Sequence, residues 1–194
     1  MARLTREQKQ AVTREKLLRS ALDVVARDGY DGASVERIAE EAGFSKGAFY
    51  SNFSSKEEIL LELLEGNAGH DVEELAGLLR DVTDPGQVVE IVAIWSDSRA
   101  AEQKWGLIAI EFLRRAQRDE TLGERHRHMF VSQWEQVGAL LKSKLLPGHE
   151  PEISALDVGG IVFELTYGGI ASFLKVNTPG QMIRHVLNAF RKSA

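Results

Sequence analysis

Apolar residues recur at helical spacing along almost the whole chain, without the sustained alternation of a half-buried strand. Between Thr13 and Asp28, the residues Leu17, Leu18, Ala21, Leu22 and Val25 form one stripe, which Gly29 closes and Asp31-Gly32 turns toward Ser34. Val35, Ile38, Ala39 and Ala42 follow at i, i+3, i+4, i+7, with Ser34 as N-cap and Gly43 as terminator. Ser45 then opens a very short helix running through Asn52, so two short helices meet around a tight, glycine-containing turn, the pattern of a helix-turn-helix. Two such helices bury too little by themselves, and the Thr13–Asp28 helix gives them a body to pack upon.

The same periodicity organises the rest of the chain. Ile59, Leu60, Leu63, Leu64, Ala68, Val72, Leu75, Leu79 and Val82 predict one long helix from Ser55 to Val82, stopped by Asp84-Pro85-Gly86. Further helices are expected over Gln87–Trp95 and Ala101–Arg118, the second with Glu111 and Arg115 as an i, i+4 pair. Thr121 and Glu124 make a capping box for a helix ended by Pro147-Gly148, and Thr178-Pro179 caps a last one carrying Met182, Ile183, Val186, Leu187 and Phe190. The run Val158–Val176 holds only Glu164 and Lys175 as charges. As a membrane span it is marginal in length, carries Glu164 into the bilayer and is diluted by four glycines, so burial on every face of a bundle helix explains it better. The fold class is all-α: a three-helix helix-turn-helix domain over residues 1–55 and a helical bundle over 56–194, about nine helices in total.

The second helix of the motif has a surface suited to a DNA groove. Phe49 and Phe53, i and i+4, face inward, while Lys46, Gly47, Tyr50 and Ser51 offer one cation, two hydroxyls and a stretch of bare backbone for phosphate oxygens and base edges. Ser54 or Ser55 with Glu57 or Glu58 forms a capping box for the long helix. Lys56 in its first turn adds a cation beside a positive helix terminus, an anion site.

Taken in order, the stretch Thr13–Leu64, TREKLLRSALDVVARDGYDGASVERIAEEAGFSKGAFYSNFSSKEEILLELL, resembles the DNA-binding domain of the tetracycline-repressor (TetR) family. The resemblance covers about a quarter of the chain and joins several independent features: the Gly29-Tyr30 close, the Ser34 cap, the Ala39–Gly43 turn, the Ser45-Lys46-Gly47 start, the Tyr50–Phe53 end and Ser55-Lys56-Glu57-Glu58. It implies an all-helical homodimer whose paired N-terminal domains bind a palindromic operator in double-stranded DNA and whose C-terminal domain binds a small-molecule effector. Carried over residue by residue, it implies phosphate contacts from Thr13, Ser34, Ser45, Tyr50, Ser51 and Lys56, close approach to bases at Lys46 and Gly47, and a dimer interface within residues 153–192. Ala48-Phe49 and Ser51-Asn52 depart from commoner family versions of the reading helix, so the recognised bases do not follow.

Charge supports this division of labour. The formal net charge is −5, yet residues up to Lys56 carry ten Lys and Arg against eight Asp and Glu, and the remainder fourteen against twenty-one. Residues 1–20 are the most basic, with Arg3, Arg6, Lys9, Arg14, Lys16 and Arg19 opposed by Glu7 and Glu15, a basic N-terminal arm able to touch DNA. There is no cysteine, and MARLTREQKQ lacks the apolar core of a signal peptide, so a cytoplasmic location is expected, with no thiol chemistry. His126 and His128 are two apart and face different sides of a helix, so no metal site is read, and no cofactor or catalytic motif is present in the sequence.

Aromatic side chains of the second region, Trp95, Trp105, Phe112, Met129, Phe130, Trp134, Phe163 and Tyr167, are candidates to line a site for a bulky, partly apolar effector, with Glu111, Arg115 and Gln133 as polar contacts. The function expected is a ligand-responsive transcriptional regulator, most simply a repressor, in which effector binding shifts the long helix and the spacing of the reading heads. The alternatives are an activator, a helical protein controlled by a protein partner, and an enzyme.

Overall fold

A computed structural model describes residues 5–102, 104–146, 153–168, 174 and 176–192. Among the described residues there are nine helices and no strand: α1 Arg6–Gly32, α2 Val35–Glu41, α3 Lys46–Tyr50, α4 Lys56–Leu79, α5 Pro85–Ala101, α6 Lys104–Ala116, α7 Glu120–Leu145, α8 Ala155–Tyr167 and α9 Pro179–Lys192. The chain is all-α, as its periodicity predicts.

Two compact units emerge, the first comprising Met1–Gly66 with Leu107–Gly123 and the second Asn67–Gly106 with Glu124–Ala194. In the first, Leu17, Ala21, Val24, Ile38, Ala39, Phe49, Phe53, Ile59, Leu60 and Leu61 are withdrawn from solvent. The segment 107–123 adds Ile108, Phe112 and Ala116, one helical face of α6. Its Arg115 does not form the expected pair with Glu111. The guanidinium lies 3.4 Å from the centre of the Tyr30 ring and is ion-paired with Asp31, while Glu111 meets Arg114 at 3.4 Å. The aromatic face and a carboxylate together hold a planar cation better than an i, i+4 glutamate does.

Local chemistry sets the helix ends. α1 begins seven residues before the expected Thr13, because Thr5 and Gln8 form a reciprocal capping box. Most of the expected basic arm is therefore helix, and residues 1–4 lie outside the described residues. The backbone leaves helical geometry at Gly29 (φ 73°, ψ 170°). Gly43 has φ 79° and sits inside a double bond pattern, Gly43 N–H to the Glu40 carbonyl and Phe44 N–H to that of Ala39, the Schellman ending that favours glycine. Ser55 caps α4 through the Glu58 N–H, and the Glu58 carboxylate reaches back to Ser54.

In the second unit α5 packs along α8 and α9, around Leu75, Leu79, Val88, Val92, Val137, Leu141, Val162, Phe163, Ile183 and Leu187. α5 runs six residues past the expected Trp95, with Asp84 as N-cap and Pro85 in the first turn. α7 starts at Glu120 with the Asp119 carboxylate accepting the Leu122 N–H, so the Thr121–Glu124 box does not form; an aspartate two residues earlier captures a free donor. α7 and α8 approach so closely that a Cβ on Gly159 would lie 1.9 Å from the Trp134 carbonyl oxygen, which only glycine permits. α8 is not covered on all sides within the chain: Val158, Val162, Phe163 and Thr166 are buried, while Asp157 and Glu164 are exposed. Pro147-Gly148, Lys175 and most of the run after Gly168 lie outside the described residues. Among the described residues no helix is long and apolar enough to cross a membrane. Thr178 caps α9 as predicted, in a reciprocal box with Gln181.

Candidate nucleic-acid interface and the interior of the second unit

The second motif helix, α3, is one and a half turns long, too short to persist alone. Phe49 fixes it from below, fully buried, edge-on to Tyr50 with ring centres 5.5 Å apart and 5.7 Å from Phe53. Arg14 of α1 lies 4.1 Å over the Phe53 ring, donates to the Asn52 carbonyl and pairs with Glu62, pinning the helix end. Ser20 donates to the Ile38 carbonyl at 2.8 Å and ties α1 to α2.

Above this anchor, Ser45, Lys46, Gly47, Tyr50 and Ser51 are all exposed. The Ser45 oxygen accepts the Ala48 N–H at 3.2 Å, leaving its own proton for an outside acceptor. Ser34 caps α2 in the same way through Arg37 N–H at 3.1 Å. Tyr50 stands half out of the surface at 51% exposure. Lys46 pairs with Glu36 of α2, which holds its ammonium above the ordinary lysine pKa and the Glu36 carboxyl below its own. Both partners are exposed, so this bond is one that a phosphate can displace. A Cβ on Gly47 would find nothing closer than the Ser45 hydroxyl at 3.7 Å, so the chain's own packing does not demand glycine there.

Three of the candidate residues spend their donors within the chain. Ser51 donates to the Gly47 carbonyl and Thr13 to that of Lys9, each at 2.9 Å, so both hydroxyl protons are used within their helices. Lys56 sits differently from the phosphate role that the resemblance implies. Its ammonium donates to the Tyr30 and Ala33 carbonyls, both at 2.6 Å, and lies 3.8 Å from the Tyr30 ring centre. Burial, and then the neighbouring Arg115, lower its pKa. It acts as a clamp on the turn between α1 and α2.

The eight candidate effector residues do not share one unit. Phe112 is a fully buried core residue of the first. Trp95, Trp105, Met129, Phe130, Trp134, Phe163 and Tyr167 belong to the second. There Phe163 is edge-on to Trp95 at 6.0 Å and stacked on Tyr167 at 6.3 Å. Beside these rings lies a polar cluster absent from the expected site, apart from Gln133. Asp71, wholly buried, accepts from Tyr167 at 2.7 Å and Gln133 at 3.4 Å and pairs with Arg99 at 3.1 Å. Arg99 also pairs with Glu74, whose carboxylate accepts the Trp95 indole N–H at 2.8 Å. Asn67 donates to Asp71 at 3.4 Å. Burial pushes the Asp71 carboxyl up to about 6, against the Tyr167 hydrogen bond and Arg99. The available signal was Asn67, Asp71 and Glu74 at i, i+4, i+7, a polar line along the apolar stripe of α4.

An anchored, solvent-facing α3 that follows α2 across a Schellman turn is the architecture of a helix-turn-helix domain. Residues 17–63 match the family of bacterial regulatory proteins described as the tetR family. Over these residues the chain carries the N-terminal domain of that family. It is 33% identical over 78 residues to the HTH-type transcriptional regulator YvdT of Bacillus subtilis (strain 168), 40% of each chain. It spans between 18% and 40% of the length of that relative and the Bacillus subtilis regulators YerO, YwcC and YuxN. Its fold is that of the fatty acid degradation regulator FadR from Bacillus halodurans, with TM-score 0.72, 18% identity and 96% of both chains covered. It is also that of a transcriptional regulator from Saccharomonospora viridis in complex with choline, with TM-score 0.71, 19% identity and 95% and 97% covered.

Proposed function

We propose that the chain acts as a homodimer, paired through residues 153–192, which binds a palindromic operator, represses by occluding a promoter and is released by a small-molecule effector. The observation that carries the DNA half is the outward face of α3, where Ser45, Lys46, Gly47 and Tyr50 are exposed over the buried Phe49. Gly47 adds to it: a bare backbone that the fold does not require has a use where a base edge approaches closely. In this reading residues 1–55 carry DNA recognition and 56–194 effector binding and dimerisation. The protein works in the cytoplasm, where its DNA is.

The effector half rests on the second unit. Trp95, Trp134, Phe163 and Tyr167 give an apolar, aromatic frame, and the Asp71–Arg99–Glu74 cluster gives polar contacts for one end of a bulky, partly apolar molecule. A protein of the same fold in complex with choline supports a small organic ligand. α4 has residues in both units, so a ligand that shifts it changes the separation of the two reading helices. A coupling of about 1–3 kcal/mol weakens operator binding roughly 5- to 150-fold.

The test is a gel shift with genomic upstream DNA, using the wild type and Tyr50→Ala, alongside sedimentation. Tyr50→Ala is expected to remain a dimer and lose DNA. Equal DNA binding by both proteins would refute the assignment of α3 as the reading surface, and a monomeric wild type would refute the dimer.

A further inference from the structure

α1 is longer than its packing requires. Its first contact with another element is Arg14 against Phe53 and Glu62, and its first fully buried side chain is Leu17, so eight residues from Arg6 to Thr13 precede any contact that needs a helix there. Val12 is 41% exposed, so this extension does not rest on an apolar face. An uncovered helix of this length is marginal by itself, yet this one is closed by the full Thr5–Gln8 capping box and continues without a break into the packed part of α1.

The side chains of the extension are sorted by charge. Arg6, Lys9, Thr13 and Lys16 fall at i, i+3, i+7 and i+10, one side of the helix over about 15 Å. Arg6, Lys9 and Lys16 are exposed, and no carboxylate among the described residues pairs with them. The other charges lie off this line. Arg14 turns in to Glu62, Glu15 pairs with Arg19 at 3.3 Å, and Glu7 is one residue round from Arg6. The line also ends at the reading head: the Lys16 ammonium lies 5.9 Å from the centre of the Phe44 ring, and Phe44 directly precedes the Ser45 cap of α3.

We propose that Arg6, Lys9 and Lys16 form a preformed phosphate-binding rail, which grips the DNA backbone flanking the bases faced by α3. This rests on the DNA-binding reading above and adds to it a second contact surface with a separate role. Three cations on one side of the helix, none with a carboxylate partner among the described residues, match a strand of phosphates and carry no sequence information, so the rail sets affinity and register while α3 reads. A helix already capped loses less freedom on binding than a coil of the same composition.

The experiment measures binding as a function of salt for the wild type and for Arg6→Gln/Lys9→Gln/Lys16→Gln, since glutamine keeps helix propensity. A control with the same charge change, Arg80→Gln/Arg118→Gln/Lys192→Gln, alters exposed cations elsewhere. Two duplexes recovered by selection are compared, one ending at the half-sites and one extending a full turn beyond each. On the longer duplex, the slope of log K against log salt is expected to fall in magnitude by about 2.7 per bound protomer in the rail variant, at about 0.9 per phosphate, and to hold in the control. On the trimmed duplex most of that difference disappears. An unchanged slope with binding intact overturns the rail, as does an equal fall in the control. So does an intact DNA slope with lost binding to vesicles of anionic phospholipid, which assigns the stripe to a membrane. Failure of the wild type to bind either duplex instead overturns the DNA-binding reading itself.

Discussion

The reading head and the interior of the second unit use polar residues in opposite ways. Around α3, Ser45, Lys46 and Tyr50 stand in water over a wholly apolar anchor, and each is held by a neighbour within ten residues or by its own helix. In the second unit Asp71, Arg99, Gln133 and Tyr167 are drawn in from four helices and meet among buried side chains. Groups that must meet a large, charged, external partner can stay hydrated and individually replaceable. Groups buried together depend on one another, because removing one member leaves another charge or donor without compensation.

The largest way to break this contrast is to remove the head's anchor. Phe49→Ala deletes a fully buried ring and is expected to destabilise the first unit by about 3–5 kcal/mol. All three tryptophans lie in the second unit, so their fluorescence follows that unit while far-ultraviolet circular dichroism follows the whole chain. In urea, the dichroism transition is expected to shift down with much less change in fluorescence. Coincident, unshifted transitions would contradict the anchor.

Next in size is the Asp71 carboxyl. Burial raises it from 3.8 to about 6, so the folded chain holds this proton over a pH range where the unfolded chain has released it. Its contribution to stability is present in full below pH 4 and is lost as pH rises to about 6. Asparagine cannot titrate. The stability of wild type minus that of Asp71→Asn should therefore fall by roughly 2 kcal/mol between pH 4 and 7, read from urea curves at each pH. A pH-independent difference would mean that the site is not desolvated as described.

The smallest effect sharpens the role of α6. Arg115→Gln removes the cation stacked on Tyr30 and its pair with Asp31, both partly exposed, and should cost about 1 kcal/mol in thermal unfolding followed by dichroism. A loss several times larger would make this contact a main support of the head.

The same contrast explains what the sequence made legible. The head is encoded locally: Ser34, Gly43, Ser45 and Ser55 are caps and terminators whose partners lie within five residues, so spacing alone places α2, α3 and the start of α4. The early start of α1 needed Thr5 and Gln8 to be weighed as a cap, and the residues that follow show no apolar stripe to announce a helix. Lys56 looks like a phosphate ligand in sequence because the turn carbonyls that capture it are 23 and 26 residues away. Arg115 was drawn to Glu111 by proximity, although its partner Asp31 is 84 residues distant. The Asp71 cluster is the extreme case. Its members are separated by up to 100 residues, and single polar positions on long helices look like solvated faces until the fold brings them together.

The central claim is that the exposed face of α3 reads DNA in twofold copies, and selection of bound fragments from a genomic library tests it most directly. The expected result is enrichment of an inverted repeat whose half-site centres lie about one helical turn apart, ~34 Å, and loss of that enrichment with Tyr50→Ala. Absence of enrichment, or recovery of sites without twofold symmetry, would contradict it.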